Sequence, residues 1–275
     1  MTRATVFTEA EATICVAARL IENNSICWPV LSGPGRFCVF LAEKLYAPNL
    51  THITEDGFIG TRPKLPCDPF MYAITSRGNY KALAWKTMNT ACAHASVGMV
   101  DYAFLGVLQV DPYGNINSSM LGGDYYHPER RFGGAGGANE MASLAWRTVY
   151  LTTQEPKKFV KRLDFITTPG YLDGTAGARE RAGLPANTGP YRVITPEAMF
   201  GFDEETRHMK LLAIAEWVTI DGVLKKMEFE PMLADNVEIL EPPREEELVV
   251  LRTEIDPRGQ TISEGEWIDL SEAAK

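Results

Sequence analysis

Long apolar runs are missing from this chain of 275 residues. No stretch of about 18 or more apolar residues occurs, so no segment is expected to cross a bilayer as a helix. The opening MTRATVFTEAEAT has one early arginine and no apolar run behind it. A secretory signal is therefore not expected, and the chain is assigned to the cytoplasm. Histidine is scarce: His52, His94, His127 and His208 are scattered without ligand spacing. The five cysteines, Cys15, Cys27, Cys38, Cys67 and Cys92, contain no CxxC pair. No metal site is expected, and an odd set of thiols reads as reduced, mostly buried side chains of a cytosolic protein. Basic residues are outnumbered, with 27 Lys and Arg against 36 Asp and Glu, a net charge of −9. That argues against nucleic acid as a partner and leaves room for a local basic pocket holding an anionic ligand. Internal repeats, low-complexity stretches and the GxSxG and HExxH patterns are absent as well.

What is there is a globular mixture, 45% hydrophobic and 23% charged, long enough for one large domain or two fused lobes. Thr8-Glu9-Ala10-Glu11 has the form of a capping box. Behind it Ile14, Ala17, Ala18 and Ile21 recur on one helix face, which predicts a helix over about 9–22. Residues 25–31 read as a strand, although Pro29 cannot donate to a ladder. Ser32-Gly33-Pro34-Gly35 is a tight loop. Phe37, Phe40, Leu41 and Leu45 mark a second amphipathic helix stopped by Pro48, and 52–54 is the next strand. Strands joined by a crossover helix are parallel. The Gly33 loop and Glu55 therefore fall at the carboxyl ends of neighbouring strands, where open α/β sheets place their ligand crevice.

Further along, 56–70 is a proline-punctuated loop, 80–92 is compatible with helix, and 102–110 is a strong central strand. Asp111-Pro112-Tyr113-Gly114 has type I turn residues, and 115–120 alternates like a returning strand. A glycine-rich run, Gly133-Gly134-Ala135-Gly136-Gly137, opens a helix over 139–146. Residues 148–152 and 164–168 read as strands, 168–190 as a long loop, 199–202 and 209–214 as a hairpin, and 245–255 as a C-terminal helix.

Two features can carry chemistry. The glycine-rich run presents unblocked N–H groups before a helix, which suits a phosphate, a carboxylate or an oxyanion. No lysine completes a P-loop, and the glycines also fit tight backbone packing alone. Glu55 is placed to act as base or nucleophile, and a solvated glutamate after a strand fits the same pattern. His127 suits either a base or a hydrogen-bonded structural role. Arg130 and Arg131 suit an anionic ligand or ion pairs, and Asn115 and Asn117 read as residues that bond the backbone.

Several segments together resemble the β subunit of glutaconate CoA-transferase, within the family I CoA-transferases. They are Leu45-Tyr46-Ala47-Pro48, Glu55-Asp56-Gly57, the run from Gln109 to Ser118 (QVDPYGNINS), Asp124-Tyr125-Tyr126-His127-Pro128, the run from Arg131 to Asn139 (RFGGAGGAN), Thr168-Pro169-Gly170-Tyr171-Leu172-Asp173-Gly174 and Glu254-Ile255-Asp256-Pro257. The resemblance implies a CoA-transferase-like α/β fold, an open mostly parallel sheet flanked by helices, as a single domain over 1–275. It implies a homologous α subunit as partner in an α2β2 assembly. The substrates would be an acyl-CoA thioester and a carboxylic acid, dicarboxylic acids included, with no permanently bound cofactor. Glu55 stands where the family keeps its catalytic glutamate, which forms an acyl anhydride and then a covalent glutamyl-CoA thioester. Gly33, Gly136, Gly137 and Asn139 are the candidates for oxyanion and CoA binding, where each backbone donor is worth about 3–4 kcal/mol. The chain departs from the family at Leu31, where a glycine is usual, and at Asp56, where serine or asparagine is usual. Relatives on this scaffold catalyse ring-opening hydrolysis or decarboxylation without the glutamate, so those chemistries are the first alternative. A non-catalytic partner of an active α subunit is the second.

Overall fold

The structure is a computed structural model, and residues 2–29, 34–66 and 76–271 are described. It divides into two compact units, one made of Met1–Phe104 with Glu241–Lys275 and the other of Leu105–Leu240. In chain order the first contains β1 (Val6–Thr8), α1 (Glu9–Ala18), β2 (Ile26–Pro29), α2 (Pro34–Leu45), β3 (Thr51–His52), β4 (Phe58–Ile59), β5 (Ala84–Trp85), α3 (Met88–Ser96) and the start of β6 (Tyr102–Gly106). The second continues with β7 (Gln109–Val110), β8 (Ile116–Asn117), β9 (Met120–Leu121), β10 (Arg130–Arg131), α4 (Ala138–Leu144), β11 (Arg147–Leu151), α5 (Ala178–Arg181), β12 (Pro190–Ile194), β13 (Ala198–Phe202), β14 (Met209–Ile214), α6 (Ile220–Leu224) and β15 (Met232–Ile239). The chain then returns to the first unit with α7 (Glu245–Val250), a π-helical turn over Leu251–Ile255 and β16 (Trp267–Asp269).

The fold is α/β, with an eight-stranded, mostly parallel sheet accompanied by helices. In the first unit its strands run β3-β2-β6, each pair parallel, as the crossover helix requires. In the second they run β11-β12-β13-β14-β15, and the antiparallel β12-β13-β14 meander contains the hairpin expected at 199–214. The capping box forms as read: the Glu11 N–H donates to Thr8 Oγ1, and the Thr8 N–H donates to Glu11 Oε2. Behind it α1 buries Ile14, Cys15, Ala17 and Ala18. In α2, Phe37, Val39, Phe40, Leu41 and Ala42 are all buried, which marks a helix enclosed on most sides rather than a surface one. Each large apolar side chain so removed from water contributes about 1.5–3 kcal/mol. No helix among the described residues is long and apolar enough to cross a membrane.

Several boundaries differ from expectation. Helix α1 ends at Ala18, before Ile21. Strand β2 is described over Ile26–Pro29, where Pro29 faces Phe104 of β6. The helix expected over 80–92 is instead a short strand followed by α3. Trp85 pairs with Phe58 across an antiparallel ladder, ring centroids 5.8 Å apart, and Thr87 in extended conformation then starts the helix. Residues 164–168 form no strand. They meet β8 through one bridge, Ile116 to Thr168, and side chains replace the ladder: Gln109 Nε2 donates to Asp164 Oδ2, and the Ser118 N–H donates to Thr167 Oγ1. The loop 168–190 contains the short α5. The loop residues 30–33, with Leu31 and Gly33, lie outside the described residues, as does Cys67. Cys15, Cys27 and Cys38 are free and buried, and Cys92 is free and half-buried.

Candidate active site

Glu55 sits at the tip of a small hairpin in the first unit. The chain leaves the carboxyl end of β3 at the edge of the sheet. It turns over Thr54-Glu55-Asp56-Gly57 and comes back as β4. The Gly57 N–H donates to the Thr54 carbonyl at 3.0 Å, the Thr54 N–H to the Phe58 carbonyl at 2.9 Å, and the Gly60 N–H to the His52 carbonyl at 2.7 Å. Glu55 is thus the second residue of a four-residue β-turn, and it is half-buried. Its neighbour Asp56 is fully engaged inside the hairpin. Thr54 Oγ1 donates to Asp56 Oδ1 at 2.5 Å, and Asn79 Nδ2 donates to Oδ2 at 2.7 Å. Gly57 has φ +95°, and a Cβ there would lie 2.1 Å from the Thr87 carbonyl oxygen. Only glycine fits both the conformation and the space. The turn is therefore pinned on one side by residues 79–88, and Asp56 serves as a strut in it.

The base of the hairpin is fixed as well. His52 is 2% exposed, stacks on Phe40 with centroids 5.4 Å apart, and meets Glu43 Oε2 through Nε2 at 2.9 Å. Burial lowers its pKa from 6.5 to about 4, so the ring is neutral at pH 7 and donates its Nε2–H to the carboxylate. Tyr46, of the Leu45-Tyr46-Ala47-Pro48 run, donates its hydroxyl to Glu247 Oε1. Glu247 is wholly buried and also takes Arg19 Nε at 2.8 Å and the Arg244 N–H at 2.6 Å. Burial beside this carboxylate raises the Tyr46 pKa, so the motif tyrosine is a neutral tie between α2 and α7.

In the second unit the glycine-rich run precedes α4, with Gly134 at φ +83° and Gly136 at φ +51°. Gly137 is the N-cap of α4. The run is anchored by the Phe132 N–H to the Ser119 carbonyl at 2.8 Å and by the Gly134 N–H to the Ser118 carbonyl at 3.2 Å. A Cβ on Gly133 or Gly134 would meet nothing within 4 Å, so packing inside this unit does not explain why glycine occupies these two positions. Asn139 is exposed on the first turn of α4; its Nδ2 donates to the Thr167 carbonyl at 3.2 Å, and its Oδ1 accepts from Ser143. Asn115 and Asn117 do bond the backbone, as read. Asn115 Nδ2 donates to the Leu172 carbonyl and its Oδ1 accepts from the Gly170 N–H at 2.8 Å, while Asn117 Nδ2 donates to the Met120 carbonyl at 2.7 Å. The QVDPYGNINS run thus fixes the loop carrying Thr168-Pro169-Gly170. His127 is exposed in a turn closed by Asp124, whose Oδ1 accepts the His127 N–H at 2.9 Å. Arg130 lies over the Phe132 ring and Arg131 over the Tyr125 ring, so both arginines are held by aromatic neighbours.

Comparison with known proteins follows the same lines. The coenzyme A transferase family model matches residues 83–226. The chain is 33% identical to the B subunit of glutaconate CoA-transferase from Acidaminococcus fermentans, over 92% of this chain and 94% of that one. It is 30% identical to the B subunit of 3-oxoadipate CoA-transferase from Pseudomonas knackmussii, over 88% and 91%. The chain belongs to the coenzyme A transferase family. Among solved structures, the glutaconate coenzyme A-transferase of Acidaminococcus fermentans superposes with a TM-score of 0.84 at 30% identity, covering 93% of this chain and 97% of that one. The decarboxylase AibA/AibB superposes with a TM-score of 0.76 at 22% identity, covering 92% and 97%, and shares the fold. The CoA-transferase-like α/β fold and the transferase class are thereby established, and a coenzyme A thioester is the substrate type that goes with this family. The family-model segment contains the glycine-rich run, whereas Glu55 precedes it.

Sequence reading missed three supports of these segments. Asn79 and Thr87 hold the Glu55 turn from a distant part of the chain. Arg179 is 4% exposed and donates to the carbonyls of Gly170, Ala142 and Ser143 and to Thr188 Oγ1. It ties the C-terminal end of α4 to the 168–190 loop, where a cation also suits the helix dipole. In sequence it sits in Ala178-Arg179-Glu180-Arg181, which looks like any solvated stretch.

Proposed function

We propose that this CoA-transferase chain is the subunit that carries the nucleophile, with Glu55 as the acceptor of coenzyme A. The Glu55 carboxylate attacks the thioester carbonyl of an acyl-CoA, and the C–S bond breaks to release CoA thiolate and an acyl-glutamyl anhydride. The thiolate attacks the Glu55 carbonyl, frees the first acid as its carboxylate and leaves a glutamyl-CoA thioester. An acceptor carboxylate then runs the sequence in reverse, and no water is consumed. One bond of each kind is exchanged for another between acids of similar energy, so the barrier rather than the equilibrium is what the protein must lower. Binding of the long CoA chain can be used for that purpose.

The observation that carries this reading is the rigid turn that presents Glu55 at the carboxyl end of β3, with Asp56 and Gly57 both committed to holding it. Gly33, Gly136, Gly137 and Asn139 are the proposed donors to the developing oxyanions and to CoA. The relatives named for glutaconate and 3-oxoadipate point to a dicarboxylate as donor or acceptor. Both of those relatives are B subunits, and we assign this chain, 1–275 as one functional module, an α subunit of related fold in an α2β2 enzyme. Exposed Leu83, Trp85 and Met88 beside the Glu55 hairpin support such a neighbour, since Trp and Met are enriched where proteins meet. We assign the chain to the cytoplasm, a compartment that the buried unpaired thiols of Cys15, Cys27 and Cys38 fit.

The test is mass spectrometry of the assembled enzyme incubated with acyl-CoA and then with hydroxylamine or borohydride. The expected result is modification at Glu55 and loss of transfer in E55A. An unmodified Glu55 together with full turnover by E55A would refute the covalent role. Product formed without any acceptor acid would favour hydrolysis or decarboxylation on this scaffold.

A further inference from the structure

The hairpin that carries Glu55 hangs from the edge of the sheet by a strand of two residues, β3. Its attachment to β2 consists of short ladder bonds, such as the Ile53 N–H to the Cys27 carbonyl at 2.9 Å. Such a pairing leaves the hairpin free to tilt unless something else grips it. Residues 79–88 hold its tip, and a second grip, on its base, comes from α2, the crossover helix between β2 and β3. Phe40 and Glu43 are one turn apart and share a helix face. Phe40 stacks on the His52 ring, and Glu43 Oε2 accepts from His52 Nε2 at 2.9 Å, on the entering leg of the hairpin. Glu43 Oε1 pairs with Arg62 Nη1, on the leaving leg. One carboxylate, 19% exposed, thus holds both legs. Its two oxygens are divided between a neutral buried ring and a half-exposed guanidinium, so loss of this one carboxylate removes a contact from each leg at once.

We propose that Glu43 is a positioning residue that fixes the tilt of the Glu55 hairpin against α2 and so aims the Glu55 carboxylate. The proposal rests on the reading of Glu55 as nucleophile. Glu43 itself touches no reacting atom. Its loss acts through geometry, where a displacement of about 1 Å at a reacting group can lower the rate by about 100-fold, and supporting residues behind a reactive group commonly matter by about 10–100-fold.

The experiment compares E43A, E43Q and E55A in the assembled enzyme. It measures kcat and KM for acyl-CoA and the deuterium exchange of backbone amides 53–60. We expect E43A to lose about 10–100-fold in kcat with KM changed less than about twofold, and its amides 53–60 to exchange faster. Glutamine keeps the shape and can accept from only one of its two partners, so E43Q should fall between E43A and the parent in both readouts. If E43A does not fold, E43Q alone carries the test. Unchanged exchange at 53–60 overturns the proposal. Faster exchange with an unchanged kcat, while E55A is inactive, also overturns it, because the hairpin would then be loosened without consequence. Turnover by E55A would instead undo the nucleophile reading, and the clamp would then stand or fall on exchange alone.

Discussion

Replacing Gly57 by alanine probes the Glu55 turn most directly. The backbone at Gly57 has φ +95°, and the added methyl would fall 2.1 Å from the Thr87 carbonyl oxygen, 2.2 Å from the Thr87 carbonyl carbon and 2.9 Å from the Met88 nitrogen. All three are backbone atoms at the start of α3, so no side chain can rotate away. The positive φ costs an L-residue about 1–2 kcal/mol, and forcing an atom into filled space adds about 1–3 kcal/mol. The expected loss is thus about 2–5 kcal/mol, or a fall in melting temperature of roughly 5–15 °C for a unit of this size. Relief by moving the turn instead of α3 displaces Glu55, two residues away, and a shift of about 1 Å is expected to lower kcat by about 100-fold. Thermal unfolding and steady-state CoA transfer measure the two effects. Gly133→Ala is the internal control for the stability effect, because nothing lies within 4 Å of the methyl it adds. A G57A enzyme that melts within about 2 °C of the parent and turns over at full rate would refute the reasoning, since one of the two penalties must appear somewhere.

Three further outcomes are expected. Gly133→Ala should leave stability within about 0.5 kcal/mol and raise KM for acyl-CoA, read by steady-state kinetics, because the run it belongs to is the proposed CoA-binding segment. Arg179→Met removes the donor shared by the carbonyls of Gly170, Ala142 and Ser143 and should cost about 2–4 kcal/mol, read from the urea midpoint. His52 has a folded pKa lowered from 6.5 to about 4 by burial. The unfolded chain therefore binds the extra proton first, and stability is full above pH 6.5, declines as pH falls from 6.5 towards 4 and levels off below. The decline amounts to about 3 kcal/mol, and His52→Gln should flatten that part of the stability profile in chemical denaturation.

How far each of these features could be read from sequence depends on how local its cause is. The capping box at Thr8 and Glu11 needs two side chains three residues apart, and it forms as read. The parallel β2-β3 pair follows from a crossover helix and chain handedness, so Glu55 at a strand's carboxyl end was legible before any coordinates. The short strand at Ala84–Trp85 was not, because two residues carry no periodicity and their partner lies far back in the chain, at Phe58–Ile59. Residues 164–168 look like a strand by composition, yet Gln109 and Ser118 supply side-chain and backbone bonds that take the place of a ladder. The resemblance identified which carboxylate to examine, but it could not say what Asp56 does. That residue departs from the family's usual serine or asparagine, and in sequence it reads as a second charge beside the nucleophile. In the fold both of its oxygens accept hydrogen bonds, from Thr54 and from Asn79. A serine, with one oxygen on a shorter side chain, would not reach both donors, so Asp56 has a structural partner here in Asn79. Asp56→Ser should therefore lower kcat unless Asn79 is changed with it, and the size of that coupling in a double-mutant cycle measures how much of the aim of Glu55 comes from across the hairpin.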